Sequence, residues 1–190
     1  GSEMCIRDRI KLGVEKNFSK DKSIYEIFEE DVNNIKTTVE SLNVFEIKKC
    51  VNLLLNAKRI YIVAKRSSAA LAVFLKYYLD LMFNNVIIVE NIEQMPKQIN
   101  KDCGEDVIIG ISFDKYSRST VEIFSHLKRK GATTIAITDN MLSPLVPYAD
   151  VTLAAISKGS KSIESFVAPL SLINCLLYTS PSPRDPKTSR

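Results

Sequence analysis

The chain has 190 residues, 45% of them hydrophobic and 25% charged, and a formal net charge of +4. That is enough chain for one globular domain and some extra, and the basic residues are scattered rather than striped, so the charge does not single out nucleic acid as a partner. No apolar run is long enough to cross a bilayer and no signal-peptide pattern stands out, so the expected compartment is the cytoplasm and no membrane partner is expected.

The two ends read as foreign to the rest. Residues 1–9 (GSEMCIRDR) and 175–185 (CLLYTSPSPRD) carry neither helical nor strand periodicity. Back-translation from Met4 can be written ATGTGTATAAGAGACAG, and Cys175 to Ser180 as TGTCTCTTATACACATCT; apart from their edges these are reverse complements. Both match the transposase end used in sequencing libraries. Residues 1–9 and 175–190 are therefore expected to be adapter translation, and 10–174 a native insert cut at both ends; a natural disordered start and a Pro/Ser-rich tail are the alternative. Setting the ends aside leaves Cys50 and Cys103. Two isolated cysteines without a C-x-x-C or a histidine partner indicate neither a disulfide framework nor a zinc site, and no metal or cofactor is expected.

Residues 10–31 are polar and weakly periodic, which suggests short helices. Val32, Ile35, Val39 and Leu42 then fall at helical spacing. Asn43 is placed to cap a helix bearing Val44, Phe45, Ile47, Val51, Leu54 and Leu55 on one stripe. From there strands and helices alternate. Strands are expected at 59–64 (RIYIVA), 86–90 (VIIVE), 106–112 (DVIIGIS), 133–139 (TTIAITD) and 151–155. Helices are expected at 69–83, at 92–101 with Pro96 near its start, at 117–130 closed by Gly131, briefly at 143–148, and at 162–174. Such alternation means β-α-β units and a parallel sheet. Nearly continuous apolar strands mean a sheet covered on both faces. The expected fold is α/β, a doubly wound five-stranded parallel sheet in the order 2-1-3-4-5, flavodoxin-like, preceded by linker helices at 10–43 and filling 44–174. Its crevice opens beyond the carboxyl ends of the first and third strands, where the winding reverses.

The two loops at that crevice are rich in hydroxyls. Lys65, Arg66, Ser67 and Ser68 follow the first strand; Ser112, then Tyr116, Ser117, Arg118, Ser119 and Thr120 follow or end the third. Each loop opens a helix, whose free N–H groups and dipole favour an anion. Hydroxyls and arginine donate well to phosphate oxygens. A small phosphate ester is the ligand class this suggests. Simple capping is the competing account: Ser119 with Glu122 fits a capping box, and Ser67 could cap the helix after the first strand.

Four segments also resemble one known family. RIYIVAKRSSAALAVFLKYYL, ISFDKYSRSTVE, GATTIAITDNMLSPLVPYADVTL and SIESFVAPLSLIN resemble successive motifs of SIS (sugar isomerase) domains. The helices before them resemble the linker of RpiR/MurR-type bacterial transcription regulators. The resemblance covers about 32–174. It implies a domain that senses a phosphosugar or related carbohydrate derivative, that forms homodimers or higher homo-oligomers, and that meets DNA only through an N-terminal helix-turn-helix domain absent from this chain. It also implies ligand-binding roles for Arg66, Ser67, Ser68, Ser112, Tyr116, Ser117 and Arg118. Departures are visible: Ala64 and Arg66 stand where the family has glycines, Asp114 and Lys115 where it has a serine and a glycine, and Ser117 where it has a threonine. Asp114 would repel a phosphate unless Lys115 or Arg118 offsets it.

No catalytic residue is assigned. An isomerase needs a general base beside the substrate carbon. His126, in the run HLKRK, is expected on a solvated helix face. Glu164 is the one candidate base, and could equally cap the last helix. The rival readings are thus a sugar-phosphate isomerase using Glu164 and a ligand-free dimerisation module.

Overall fold

The computed structural model of the chain describes residues 24–93, 103–159 and 163–181. Two helices, α1 (Ile24–Ser41) and α2 (Val44–Leu55), lead into β1 (Arg59–Ala64), α3 (Ser68–Asp80), β2 (Val86–Ile88), β3 (Asp106–Ile111), α4 (Arg118–Arg129), β4 (Thr133–Thr138), a 3-10 turn (Val146–Tyr148), β5 (Val151–Ala154) and α5 (Val167–Thr179). The five strands pair in the order β2-β1-β3-β4-β5, and every pairing is parallel. The expected doubly wound order therefore forms.

Both faces of the sheet are covered, which is why its strands read as unbroken apolar runs. Alternate residues serve opposite layers. Ile60, Ile62, Val107, Ile109, Ile111, Ile135 and Ile137 pack with α2, α3 and α5. Tyr61, Val63, Ile108 and Ala136 pack with Ile123, Phe124 and Leu127 of α4. Gly110 lets α4 come close, because a Cβ there would stand 2.6 Å from the ring of Phe124. Gly131, at φ 92°, closes α4 in the left-handed conformation that glycine adopts freely. At the start of α2 the Asn43 side chain accepts from the Phe45 N–H at 2.9 Å, as expected of a cap.

Several expectations need correction. The stripe Val32, Ile35, Val39, Leu42 of α1 is only partly used: Ile35 and Leu42 pack against the core, Val32 is 50% and Val39 61% exposed, and Asn34 and Thr38 are buried beside them. The reason is hydrogen bonding to the stretch after β5. Asn34 Nδ2 donates to the Lys158 carbonyl at 2.7 Å, and Thr38 Oγ1 accepts from the Ile156 N–H at 3.0 Å while donating to the Asn34 carbonyl at 2.7 Å. On α2, Val44, Phe45 and Leu55 point outward, and Cys50 joins Ile47, Val51 and Leu54 in the core. The last helix begins at Val167, not 162. Before it, Ser165 donates from its Oγ to Asp31 of α1 and from its backbone N–H to the Ser157 carbonyl, bonds that hold this stretch out of the helix. The same helix runs on to Thr179, past the boundary placed at 174, because Leu176 continues the buried face of Ala168, Leu172 and Ile173. Of the helix expected at 92–101, only Ile92 and Glu93 are described, and neither is helical; the remainder, and the stretch 10–23, lie outside the described residues.

Candidate functional site at the β1 and β3 loops

Register brings the two serine-bearing loops together. Ala64 of β1 pairs with Ile111 of β3, so Lys65 and Ser112 leave the sheet side by side where the winding reverses. Ser112 stays bound to the neighbouring strand through its N–H and the Ile137 carbonyl, 3.1 Å. Each loop contains a non-glycine residue in the left-handed region, Arg66 at φ 57° and Lys115 at φ 62°. These are two of the positions where the resembled family has glycine. An L-residue there costs of order 1 kcal/mol, so the surrounding bonds must hold it. Arg66 Nη1 donates to the Lys115 carbonyl at 3.3 Å, linking one strained residue to the other, and Asp114 accepts the Lys115 N–H at 2.9 Å. Lys65 Nζ donates to the Glu90 carbonyl beyond β2.

The hydroxyls divide into two sets. Ser68 and Ser112 are buried and Ser117 half-buried, and among the described residues their Oγ atoms make no hydrogen bond with the protein. Ser117 is the N-cap residue of α4 and Ser67 that of α3, yet neither side chain caps its helix. Simple capping, including the Ser119–Glu122 box, is therefore not how these loops use their hydroxyls. Thr120, fully buried in the first turn of α4, also leaves its Oγ1 unpartnered. Thr120 is not among the site residues expected from the sequence; its place three residues after Ser117, where an N-cap and the first helical turn meet, is the signal that marks it. The leading N–H groups of α4 have no partner within the helix. Of these oxygens Thr120 Oγ1 is buried without a partner, while the serine hydroxyls, unbonded to protein, open toward solvent; hydroxyl donors gathered at the carboxyl end of the sheet suit an anionic, oxygen-rich ligand.

The second set is occupied. Tyr116 OH donates to Asp139 Oδ1 at 2.5 Å and accepts from Asn140 Nδ2 at 3.4 Å. Burial, reinforced by Asp139, pushes its phenol up to about 12, so it remains a protonated donor committed to Asp139. In this arrangement it ties the second loop to the end of β4. Ser67 Oγ donates to Glu164 Oε2 at 2.7 Å. Glu164 therefore does not cap α5; it reaches the first loop instead. Arg66 and Arg118 are exposed at the rim. His126 is half-buried rather than fully solvated and lies along α4, away from these loops in sequence. The Cys50 thiol, pushed up to about 12 by burial and then by Glu46, is not a nucleophile. Among the described residues no cluster of His, Cys, Asp and Glu could hold a metal ion, and no helix is long and apolar enough to cross a membrane.

Comparison with known proteins points the same way. The SIS domain pattern matches residues 53–178. A protein of Haemophilus influenzae named as an uncharacterized HTH-type transcriptional regulator is 31% identical over 150 residues, which is 77% of this chain and 52% of that protein. The chain thus spans about half the length of that relative. Among solved structures, the sugar isomerase domain of an RpiR transcription factor from Sphaerobacter thermophilus superposes with a TM-score of 0.76 at 27% identity, covering 81% of this chain and 87% of that one. The Vibrio vulnificus NanR protein, solved in complex with ManNAc-6P, shares the fold with a TM-score of 0.70 at 15% identity, covering 89% of this chain and 66% of that one. With the parallel sheet in the expected order and the hydroxyl loops at its switch point, this chain belongs to the SIS domain family.

Proposed function

We propose that this chain is the effector-sensing domain of a bacterial RpiR/MurR-type transcription regulator, and that it binds a phosphosugar or related carbohydrate derivative at the β1 and β3 loops without transforming it. One observation supports the ligand most directly: the hydroxyls of Ser68 and Ser117, at the starts of α3 and α4, and of Ser112, just after β3, lie on two adjoining loops without protein partners. The names of the relatives support the regulator, and the ManNAc-6P complex of NanR supports the ligand class. Ser68, Ser112 and Ser117 would hold the phosphate, Arg66 and Arg118 would draw it in from the rim, and Ser67 would face the sugar. Tyr116 would act by fixing the second loop on Asp139. DNA would be met through a helix-turn-helix domain upstream, in the cytoplasm. The protein would act as a homodimer, with exposed Ile24, Tyr25, Phe28, Val32 and Val39 of α1 available to a second copy. Residues 1–9 and 175–190 remain, in this reading, adapter translation.

The test is a thermal-shift and calorimetric screen with glucosamine, N-acetylmuramic acid and pentose phosphates. A ligand that binds only the folded chain raises its melting temperature. Ser112→Ala and Ser68→Ala should each weaken binding about tenfold or more while leaving the ligand-free melting temperature nearly unchanged. Absence of any shift across the panel overturns the proposal. One observation favours a second reading, an isomerase: Glu164 does reach the first loop. That reading requires turnover of a ketose phosphate that Glu164→Gln abolishes; the sensor reading expects no turnover.

A further inference from the structure

Helix α1 meets the rest of the domain through a polar stripe. Asp31, Asn34 and Thr38 fall at i, i+3 and i+7, so they share one face of the helix. All three bond to the short stretch between β5 and α5, across 118 to 134 positions of sequence. Asp31 accepts from Ser165 Oγ, Asn34 Nδ2 donates to the Lys158 carbonyl at 2.7 Å, and Thr38 Oγ1 accepts from the Ile156 N–H at 3.0 Å. Ile35 and Leu42 pack beside this stripe, while Ile24, Phe28, Val32 and Val39 are exposed. A helix with few buried apolar side chains and a row of directional bonds depends, for its docking, on where its partner stretch lies.

That stretch is stiff and has a second attachment. Its arms 156–159 and 163–165 run against each other: the Ser165 N–H donates to the Ser157 carbonyl at 3.3 Å, and a Cβ on Gly159 would stand 2.4 Å from the Ile163 carbonyl oxygen. Arms packed this closely pass movement from one to the other. Glu164 Oε2 accepts from Ser67 Oγ at 2.7 Å, and Ser67 is the N-cap residue of α3 in the β1 loop. The other carboxylate oxygen, Oε1, is buried without a partner, so the bond to Ser67 is the tether of this side chain among the described residues. Glu164 and Ser165, adjacent in the chain, thus reach the β1 loop on one side and α1 on the other.

We propose that occupancy of the hydroxyl loops and docking of α1 are thermodynamically coupled through this stretch, by Ser67–Glu164 at one end and by Asp31, Asn34 and Thr38 at the other. The coupling is positive. A ligand at the β1 loop binds with the stretch in place, and α1 has already ordered it; freeing α1 adds that ordering to the cost of binding. By reciprocity, a bound ligand holds α1 down. This rests on the reading under Proposed function, in which α1 leads toward the upstream DNA-binding domain, and adds the route by which occupancy reaches that helix.

Amide hydrogen exchange and calorimetry on the whole chain test it, with glucosamine 6-phosphate and inorganic phosphate as probes. The second half of α4, residues 124–129, packs on the opposite face of the sheet and serves as the internal reference. In the parent, the better-bound probe should slow exchange at residues 34–41 of α1 about fivefold relative to that reference, the low end of coupling between sites. Thr38→Val keeps the side-chain shape and removes the acceptor for the Ile156 N–H; Asp31→Ala removes the acceptor for Ser165. Each should weaken the better-bound probe about fivefold, although neither residue belongs to the loops. Without any probe, Ser67→Ala should speed exchange in α1 and leave the reference unchanged. A merely structural role of these bonds speeds exchange in α1 and α4 together. Melting temperatures within a few degrees of the parent establish folding, and Asp31, only half-buried, gives a usable variant if Thr38→Val fails that criterion. Probe binding that leaves α1 exchange and the variants' affinities unchanged overturns the coupling and leaves the phosphosugar site standing, as does an equal change in α1 and α4. A parent that binds neither probe overturns both.

Discussion

The two ends of the same strand pair are built to opposite specifications. At the amino end, Arg59 and Asp106 are register partners as the first residues of β1 and β3, and the guanidinium grips the carboxylate with two bonds of 2.9 Å each. Asp106 is 1% exposed. Its hydrogen bonds raise the pKa of Arg59 further above an already high value, so the pair stays charged. Two strands beyond β3, Asp150 at the foot of β5 takes bonds from Lys128 and from the N–H and hydroxyl of Thr134 in β4. At the carboxyl end the same strands finish in left-handed residues, in hydroxyls without partners and in a half-satisfied carboxylate. One end spends its polar groups on holding the sheet together. The other leaves them for a ligand, a division seen generally in open α/β sheets.

The largest effect expected from breaking this contrast is at the pinned end. Asp106→Ala leaves a guanidinium without its partner, and removing one member of a buried pair costs about 3 kcal/mol. Urea unfolding should show the loss, with ligand affinity of the remaining folded protein unchanged. A loss below about 1 kcal/mol would mean that the pair behaves as a surface ion pair and the ends do not differ in this way. Gly110→Ala lies near the carboxyl end of β3, one residue before Ile111. Its added methyl meets Phe124 at 2.6 Å, and such overpacking costs about 2 kcal/mol; the same unfolding experiment measures it.

Acid sharpens the contrast with a smaller effect. Burial alone would raise the pKa of Asp150, but the bonds from Lys128 and Thr134 outweigh it and hold the carboxyl below its usual range. A group depressed in the folded state contributes stability that is present above its unfolded pKa, about 3.9, and is lost as pH falls through the lower folded value. Melting curves from pH 6 down to pH 2 should therefore fall less steeply for Asp150→Asn than for the parent. Parallel curves would show that Asp150 does not help to pin β5.

Most of the pinned frame was legible in the sequence, and much of the spare end was not. Short, mostly apolar strands between helices, with Gly131 as a helix stop and Asn43 as a cap, act through neighbours in the chain, so local pattern suffices to find them. The burial of Asn34 and Thr38 could not be read this way. Their partners, Lys158 and Ile156, lie more than a hundred residues away, and the apolar stripe beside them on α1 gave the stronger periodic signal. Tyr116 was read as a ligand group because of the company it keeps in the loop; its bond to Asp139 depends on where β4 ends. The loops themselves are legible from the expected strand order and their hydroxyl content. Which of their hydroxyls are free depends on three-dimensional pairing, and Ser67, capping neither helix, is bound by a residue 97 positions on.

The smallest effect concerns the strain at the spare end. Lys115 holds φ 62°, a conformation that costs an L-residue of order 1 kcal/mol and glycine almost nothing. Glycine also gives the unfolded chain more freedom, which takes back part of the gain. Lys115→Gly should therefore stabilise the ligand-free domain only slightly, by about 0.5 kcal/mol, seen as a small rise in denaturation midpoint. The carbonyl that Arg66 contacts is retained in the variant, so the bond between the loops can persist. If phosphosugar affinity is unchanged or improved, the left-handed turn itself is what the site requires and the lysine side chain is dispensable. If affinity falls while stability rises, the lysine charge serves the ligand, offsetting Asp114 beside it, and the strain at this end is maintained for binding rather than for the fold.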